Sequence, residues 1–401
     1  MERHLQALMP ALAQRGHSIG FAFEYPPSAE SEAVAEAGIC ERQWCLGGLA
    51  IEELLSQVAA WEPDVVYAHG LQSTSLEGKL LDSFPVVLFA HDYYGTCATG
   101  RKCHLFPKPQ TCHRRFGPMC LALHYPARCG GLSPVTALRN YYFQARRAQL
   151  LPRYHAVLVA SRHMCSEFLN HGVESRRLFV VPLPPTLDVP EVHEPEPRLP
   201  TGRLLFLGRL TDLKGAHYLI KAVDRAERRL GRPLTLTIGG TGPEQTRLQA
   251  LATRLGVKAD FTGWLDTERR SELMRQAELL VVPSVWPEPF GLIGIEAGCV
   301  GLPAVGFAVG GIPEWLIPGL SGELAPGDPP TVAGLTEAIV RALQATEHYR
   351  HLCRGAWEVA KKFTMHEHLA KLEYLFHTAR LRGNGCRKDA GPGEARCSAS
   401  A

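Results

Sequence analysis

Two glutamates bracket a short glycine-containing segment, PEPFGLIGIE, at residues 287–296. Glu288 precedes the start of a predicted helix, and Glu296 lies inside that helix. The first turn presents backbone amides without intrahelical acceptors, those of Phe290, Gly291 and Leu292. Carboxylates accept hydrogen bonds from vicinal hydroxyls, and free amides bind sugar oxygens. The segment therefore predicts a site for ribose or hexose; the alternative is that Glu288 caps the helix and Glu296 is a surface residue.

A basic loop, GRLTDLKG, follows the predicted strand at residues 203–207, and a helix begins directly after it. Gly208, Arg209 and Lys214 combine free backbone amides with two cations beside the N-terminus of that helix. This combination predicts a diphosphate site. A solvated basic loop is the alternative.

A second glycine-rich turn follows the next predicted strand and precedes another helix. Its residues Gly240 and Gly242 would let the backbone approach a ligand closely. A turn that binds no ligand explains the same residues equally well.

These residues lie on a chain of 401 residues, which is long enough for two domains with separate cores. Helices alternate with apolar strands in both halves, and this pattern predicts two α/β, Rossmann-like, doubly wound domains that face a cleft. We predict an N-terminal acceptor-binding domain over 1–183 with a cysteine-rich insertion at 97–130, a proline-rich linker over 184–200, a C-terminal nucleotide-sugar domain over 201–355, a helix over 356–380 that packs back on the N-terminal domain, and a disordered tail over 381–401.

The composition excludes several classes of protein. Apolar residues make up 45% and charged residues 21%, which is typical of a folded globular chain. The net charge of +3 gives no global electrostatic argument for binding nucleic acid. We find no run of 18 apolar residues and no secretory signal at Met1, and we therefore expect a cytoplasmic location, with contact to the inner face of the cell membrane left open.

Further short motifs accompany these residues in a fixed order: GTGP at 240–243, FTG at 261–263, VGGIPE at 309–314 and GEL at 322–324. Together with the basic loop and the paired glutamates, they stand in the order found in the family 4 retaining glycosyltransferases. The chain resembles that family densely over residues 201–376 and more weakly over 1–200. The resemblance implies the GT-B fold and a nucleotide diphosphate sugar as the donor.

The resemblance also implies roles for single residues. Arg209 and Lys214 would hold the donor diphosphate, Glu296 would bind the ribose hydroxyls, and Glu288 would face the transferred sugar. His91 follows the predicted strand at 85–90 and resembles the active-site histidine of the family. It would donate to the donor phosphate or to the acceptor hydroxyl; a histidine satisfied by local hydrogen bonds is the alternative.

The N-terminal end departs from the family pattern. Members of the family begin with a strand and a glycine-rich loop, whereas this sequence starts at the helical element that would follow them. Either Met1 is not the true start, which we favour, or the N-terminal sheet lacks its first strand and has an exposed edge.

Relatives in that family carry cysteine-rich insertions at the position where this chain has five cysteines, Cys97, Cys103, Cys112, Cys120 and Cys129. A structural zinc site is one interpretation, although no C-x2-C pair is present; reduced thiols or one local disulfide are the alternatives. The insertion also contains basic and aromatic residues, which could contact anionic lipid headgroups or simply be solvated.

We therefore expect a retaining glycosyltransferase that acts on a hydroxyl acceptor, with a lipid-linked acceptor as one option, in polysaccharide, lipopolysaccharide or other glycoconjugate biosynthesis. Catalysis would require no cofactor, because the protein would stabilise the leaving diphosphate electrostatically. Two other functions fit the same residues: a catalytically silent partner subunit that binds sugar nucleotides, and a disaccharide phosphorylase or synthase.

Overall fold

The computed structural model describes residues 2–25, 39–185 and 200–383, which form two α/β domains with a cavity between them. The predicted linker lies outside these ranges except at its two ends, and so does the predicted tail from residue 384 onward. The start of the predicted tail was wrong: residues 381–383 are the last residues of the final helix, which ends at Gly383.

The N-terminal domain contains one sheet of four parallel strands, a separate parallel pair of strands and a short antiparallel hairpin. The strands are β1 (Gly20–Phe23), β2 (Arg42–Cys45), β3 (Val66–His69), β4 (Val86–Ala90), β5 (Cys103–His104), β6 (Gln110–Thr111), β7 (Ala156–Val159) and β8 (Leu178–Val180). The larger sheet has the order β3-β4-β7-β8, and β1 pairs with β2. Among the described strands, β3 and β8 lie at the two ends of this sheet, and β3 pairs with β4 alone.

The helices of this domain are α1 (Glu2–Gln14), α2 (Ile51–Ala60), α3 (Thr74–Ser83), α4 (Met119–Ala122), α5 (Pro134–Leu150) and α6 (Arg162–Asn170). Serine side chains cap three of them by accepting a hydrogen bond from the backbone amide three residues on: Ser73, Ser133 and Ser161. These caps fix where α3, α5 and α6 begin. The insertion at 97–130 adds only the β5-β6 hairpin and the single turn α4 to this framework.

The C-terminal domain is built on one sheet of six parallel strands with the order β11-β10-β9-β12-β13-β14. The strands are β9 (Arg203–Leu207), β10 (Thr235–Gly239), β11 (Lys258–Gly263), β12 (Leu279–Val282), β13 (Ala304–Phe307) and β14 (Gly322–Ala325). Chain order reverses between β9 and β12. In open parallel sheets, ligands bind at the carboxyl ends of the strands beside such a reversal.

The helices of the C-terminal domain are α7 (Ala216–Leu230), α8 (Gln245–Leu255), α9 (Thr267–Gln276), α10 (Leu292–Cys299), α11 (Val332–Leu343) and α12 (Thr346–Ala360), and the last helix is α13 (Met365–Gly383). The helix predicted after the basic loop is present as α7, and the helix predicted to contain Glu296 is present as α10. Both α7 and α8 end at a glycine in the left-handed conformation, which any other residue would adopt at a cost. None of the described helices is both long and apolar enough to cross a membrane.

The C-terminal end differs from the single helix predicted over 356–380. α12 ends at Ala360, and α13 starts at Met365 because the Thr364 hydroxyl accepts a hydrogen bond from the Glu367 amide. α13 then packs on the N-terminal domain, where Glu373 accepts from Arg15 at 2.7 Å and the Phe376 ring lies 5.1 Å from the Tyr67 ring.

Candidate functional site

A cavity of about 230 Å³ lies between the two domains. The N-terminal domain contributes the end of β4 and His91 to its lining. The C-terminal domain contributes Lys214, Ser284, Glu288 and the backbone that enters α10. These segments all follow the carboxyl ends of parallel strands, which is where an open α/β sheet binds its ligand.

Lys214 and Glu288 form an ion pair inside this cavity. Lys214 Nζ lies 2.6 Å from Glu288 Oε1, and the Ser284 hydroxyl donates to the same oxygen at 2.5 Å. Burial acts to raise the pKa of Glu288, but the charge and hydrogen bond of Lys214, with help from Ser284, hold that pKa below its usual value. The cavity therefore contains an ionised carboxylate that a lysine neutralises.

The backbone conformation after Lys214 depends on glycine. Gly215 has φ +68°, and a Cβ atom at this position would lie 1.9 Å from the Pro283 carbonyl oxygen. A larger residue would therefore push the basic loop away from the segment that follows β12. The Lys214 ammonium group also lies 5.6 Å from the centre of the Trp286 ring, which adds a cation-π contact to its placement.

The predicted rim of amides is present at the entrance of α10. Gly291 lies at the N-cap with φ +84°, and Phe290, Gly291 and Leu292 all line the cavity. Within the described ranges, no backbone or side-chain acceptor bonds to their amides. The Trp315 indole donates to the Phe290 carbonyl at 2.7 Å and fixes this turn from behind. The turn therefore offers donors to an anionic or hydroxylated ligand.

The loop that contains the VGGIPE motif packs closely against the backbone around Glu288. The Gly311 amide donates to the Glu288 carbonyl at 2.7 Å. A Cβ atom on Gly310 would lie 2.3 Å from the same carbonyl oxygen. Gly310 and Gly311 thus allow the backbone to approach that of Glu288, which explains the two glycines of the VGGIPE motif.

Glu296 lies outside the cavity lining. Its side chain is only 3% exposed, and the Arg270 guanidinium on α9 approaches its Oε1 at 3.4 Å. A ribose hydroxyl would therefore have to compete with Arg270 for this carboxylate. The expected role of Glu296 in binding ribose stays a prediction.

Arg209 is exposed and also lies outside the cavity lining. Gly240 and Gly242, in the glycine-rich turn after β10, allow this turn to pack closely against the basic loop after β9. A Cβ atom on Gly240 would lie 2.0 Å from the Gly208 carbonyl oxygen, and one on Gly242 would lie 2.4 Å from that of Leu210. These positions require glycine whether or not a ligand is bound.

His91 faces the cavity and pairs with a second histidine. His91 Nε2 lies 2.9 Å from Nδ1 of His69, the last residue of β3. Burial lowers the pKa of His91 to about 3, and it holds the pKa of His69 well below its usual value. Both rings are therefore neutral at pH 7, and one of the two facing nitrogens must carry the shared hydrogen.

Two more histidines surround this pair. The His4 ring lies 6.3 Å from the His91 ring and 5.1 Å from the His368 ring, while His368 Nδ1 faces the Pro182 carbonyl at 2.9 Å. Burial lowers the pKa of His4 to about 2 and that of His368 to about 4. Sequence reasoning identified His91 alone. The position of His69 at the end of the neighbouring parallel strand was a usable signal.

Glu314, at the end of the VGGIPE motif, connects the two domains. Its Oε1 accepts a hydrogen bond from the Arg162 amide at 2.8 Å, at the first residue of α6. A carboxylate at a helix N-terminus is favoured by the helix dipole. This hydrogen bond links the two domains, and sequence reasoning did not predict it.

The five cysteines of the insertion are free thiols in the structure. Burial raises the pKa of Cys103 and of Cys129 to about 12, so both are protonated at pH 7. Across the part of the chain that the structure describes, no three His, Cys, Asp or Glu side chains are grouped so that they could hold a metal ion. Zinc binding by Cys97, Cys103, Cys112, Cys120 and Cys129 stays a prediction.

The site is thus a cavity between two parallel sheets that contains a lysine, a carboxylate and free backbone amides. Comparison with known families finds two matching models. The model described as "Glycosyltransferase Family 4" matches residues 1–184, and the model described as "Glycosyl transferases group 1" matches residues 192–357. The chain therefore belongs to the family 4 glycosyltransferases.

Curated relatives share part of the sequence. A glycogen synthase of Mycobacterium tuberculosis is 38% identical over 163 residues, which are 40% of this chain and 38% of that protein. A D-inositol 3-phosphate glycosyltransferase of Geodermatophilus obscurus is 34% identical over 213 residues, which are 47% of this chain and 46% of that protein. The matches thus span less than half the length of these relatives.

Solved structures match nearly the whole chain at lower identity. Anabaena HepE in complex with UDP and glucose has a TM-score of 0.66 and 19% identity, with 94% of this chain and 96% of that chain covered. Sucrose-phosphate synthase from Thermosynechococcus elongatus has a TM-score of 0.66 and 18% identity, with 92% and 91% covered. These similarities establish the GT-B fold.

Proposed function

We propose that this protein transfers a glycosyl unit from a nucleotide diphosphate sugar to a hydroxyl acceptor and retains the configuration at the anomeric carbon. The observation that carries the proposal is the cavity in which Lys214, the amides at the entrance of α10 and His91 converge from two domains. A cation, free amides and a neutral histidine suit a diphosphate joined to a sugar. Anabaena HepE, a structural neighbour, has been solved in complex with UDP and with UDP-glucose, and these ligands support such a donor.

The donor diphosphate would bind Lys214 and the amides of Phe290, Gly291 and Leu292. Because Lys214 now pairs with Glu288, a phosphate oxygen would share or replace this partner. Arg209 is exposed at the same end of the sheet and would supply a second cation once the diphosphate is bound. These groups would stabilise the negative charge that develops as the nucleotide leaves.

His91 would donate a hydrogen bond to the donor. His91 lines the cavity, its Nε2 is engaged with His69 Nδ1, and its Nδ1 forms no hydrogen bond among the described residues. His69 Nε2 is buried and has no hydrogen-bond partner among the described residues. A buried nitrogen without a partner is better left without hydrogen, so we assign the hydrogen of His69 to Nδ1. His91 then accepts at Nε2 and donates from Nδ1.

Retention would follow from attack on the face that the leaving group vacates. Among the residues that line the cavity, Glu288 is the sole carboxylate, and Lys214 and Ser284 engage it. Retaining hydrolases instead place two carboxylates across the bond. We propose that the acceptor oxygen bonds to the anomeric carbon as the bond to phosphate breaks, and that the acceptor proton passes to the leaving phosphate oxygen. The step requires no metal and no covalent enzyme intermediate.

Purified full-length protein, incubated with a panel of nucleotide diphosphate sugars and hydroxyl acceptors, tests the proposal. We expect a glycosylated product whose anomeric configuration, read from NMR coupling constants, equals that of the donor. Lys214→Met should lower kcat/KM by about tenfold to a hundredfold, since it removes a charge-assisted contact of about 1.5–3 kcal/mol. The matched control is Lys221→Met, which removes an exposed lysine on α7.

The two other functions predict different results. A silent binding subunit would bind nucleotides in calorimetry and give no product with any acceptor. A phosphorylase would release sugar phosphate only when inorganic phosphate is added. A product with inverted configuration would contradict the retaining mechanism but not the transfer itself.

A further inference from the structure

A long stretch of the N-terminal domain carries only positive charge. Residues 93–166 contain eleven Lys and Arg side chains and no Asp or Glu. Because the whole chain has a net charge of +3, the other residues carry a net charge of −8. The positive charge of this protein is therefore concentrated in one segment, which contains the cysteine-rich insertion and α5.

Most of these cations lack a carboxylate partner. Four of the eleven form ion pairs with carboxylates outside the segment: Lys102, Arg147, Arg153 and Arg162. The other seven form no ion pair within residues 2–25, 39–185 and 200–383: Arg101, Lys108, Arg114, Arg115, Arg128, Arg139 and Arg146. A set of uncompensated cations on one domain attracts anionic surfaces.

α5 has an unusual distribution of side chains. Its inner face buries the polar residues Gln144 and Arg147, the second of which pairs with a buried carboxylate at 2.9 Å. Its outer face exposes Val135 by 76%, Leu138 by 58% and Tyr142 by 56%. At about 100° per residue, these three lie within an arc of about 60°. A helix of a soluble domain normally has the opposite polarity.

The cations lie on the same side of α5 as the apolar residues. Arg139 and Arg146 extend that arc to about 100°, and the Arg146 guanidinium lies 5.8 Å from the Tyr142 ring. Leu132, just before the helix, is 85% exposed. We call the surface made by Leu132, Val135, Leu138, Arg139, Tyr142 and Arg146 the α5 face.

The insertion extends this surface. The Phe116 ring packs 5.0 Å from the Tyr141 ring of α5, so the two segments are in contact. On the insertion, Phe106 is 51% exposed, and the Arg128 guanidinium lies 5.4 Å from its ring. The same combination of exposed apolar side chain and unpaired arginine thus occurs twice, on two adjoining segments.

We propose that the α5 face binds the surface of a bilayer that contains anionic lipid. Aliphatic and aromatic side chains enter the boundary between headgroups and acyl chains, while arginines bind lipid phosphates. The most exposed side chains of the α5 face are the aliphatic Leu132, Val135 and Leu138, which offer no aromatic surface for base stacking and therefore favour lipid over a nucleic acid. The proposal goes beyond the transfer reaction and does not depend on it.

Sedimentation of full-length protein with vesicles tests this proposal. One set contains phosphatidylcholine alone, and the other contains phosphatidylcholine mixed with phosphatidylglycerol. We expect binding to the mixed vesicles only, and weaker binding as salt is raised. Arg139→Glu/Arg146→Glu should lower the partition coefficient by about tenfold or more, and Val135→Ser/Leu138→Ser by about fivefold or more.

Two control variants make the same changes elsewhere. Arg225→Glu/Arg254→Glu alters two exposed arginines of the C-terminal domain that form no ion pair with any described residue, and Trp264→Ser removes an aromatic residue that is 63% exposed. Each should change the partition coefficient by less than about twofold. Because all of these residues are exposed, the variants should keep the unfolding temperature of the wild type.

Four results would overturn the proposal. The first is a wild type that does not bind the mixed vesicles, and the second is an equal loss in the control variants. The third is unchanged binding by Val135→Ser/Leu138→Ser, which would show attraction by charge without insertion of the α5 face. The fourth is a dimer, formed without lipid, that Val135→Ser/Leu138→Ser dissociates; the α5 face would then be a protein interface.

Discussion

Replacing Lys214 with methionine would leave the carboxylate of Glu288 in the cavity without its neutralising charge. The side chain of Glu288 is 8% exposed and that of Lys214 is 24% exposed. Removing one partner of a buried ion pair costs about 3–5 kcal/mol. Since Lys214 is partly exposed and the Ser284 hydroxyl still donates to Glu288, we expect Lys214→Met to lower the free energy of unfolding by about 2–3 kcal/mol at pH 7.

This loss should depend on pH. In the wild type, the pKa of Glu288 lies below its ordinary value of 4.5, so the pair stabilises the fold above that value and loses its effect as the pH falls through the lowered pKa. In Lys214→Met the charge that lowers the pKa of Glu288 is absent, so burial, opposed by the Ser284 hydrogen bond, should raise that pKa. The folded variant then binds the proton more tightly than the unfolded chain and loses stability as the pH rises through the raised pKa. The difference between variant and wild type should therefore be larger at pH 7 than near pH 4.5.

Urea unfolding followed by tryptophan fluorescence measures this difference, with Lys221→Met as the matched control. The double variant Lys214→Met/Glu288→Gln should recover more than half of the lost stability, because no buried charge remains. Its affinity for nucleotide, measured by calorimetry, should stay low if Lys214 holds the diphosphate. The reasoning is refuted if the double variant is as unstable as Lys214→Met, or if the loss is the same at both pH values.

Four further predictions follow from the site. Arg209→Ala should lower kcat/KM about tenfold to a hundredfold, whereas Arg225→Ala should not change it; equal values for both variants would exclude Arg209 from donor binding. Glu296→Gln should mainly raise KM or the nucleotide Kd, and Glu288→Gln should mainly lower kcat; the reverse pattern would invert the two roles. His69→Asn, which keeps a side-chain N–H near the position of Nδ1, should preserve the Nδ1–H tautomer of His91 in nitrogen NMR spectra. His69→Phe should abolish this preference for the Nδ1–H tautomer and lower kcat/KM. Metal analysis after reducing, chelator-free purification tests the zinc prediction, and less than about half an equivalent of zinc would exclude it.

The elements around the site could be predicted because their signals are local. A helix was predicted to start after Glu288 and to contain Glu296, and the structure has α10 at Leu292–Cys299. Lys214 and Glu288 could be assigned to one edge, since both follow strands that are neighbours in a doubly wound sheet. Sequence reasoning thus placed both residues at the edge that binds ligand.

The direct contact between these two side chains could not be predicted. Lys214 and Glu288 are 74 positions apart, and the 2.6 Å distance depends on how two loops pack around Gly215. The same limitation applies to Glu296, whose partner Arg270 lies on a different helix. Sequence patterns give the face of an element, whereas the partner of a side chain depends on tertiary packing.

The four histidines show which contacts follow from local sequence patterns and which depend on tertiary packing. His69 ends β3 and His91 follows β4, and because β3 and β4 are neighbouring parallel strands, their contact could have been predicted from the two strand ends. His4 and His368 come from the first and last helices, and they meet only because α13 crosses back to the N-terminal domain. The return of the last helix to the N-terminal domain was predicted, but no local pattern assigns these two histidines to each other.

The ion pair also limits what a single substitution at the site can reveal. Under the proposed function, Lys214 binds the diphosphate when the donor is present and pairs with Glu288 when it is absent. A change at either residue therefore alters both stability and donor binding. A fall in activity after Glu288→Gln could then reflect the loss of a charge near the transferred sugar or a lysine released from its position. The double-mutant cycle separates the two effects. In the free energy of unfolding, the effects of the two substitutions should not be additive, because the residues form an ion pair. Nucleotide affinity should depend on Lys214 whether residue 288 is Glu or Gln. The cycle therefore distinguishes a lysine that binds the donor from a lysine that only neutralises Glu288.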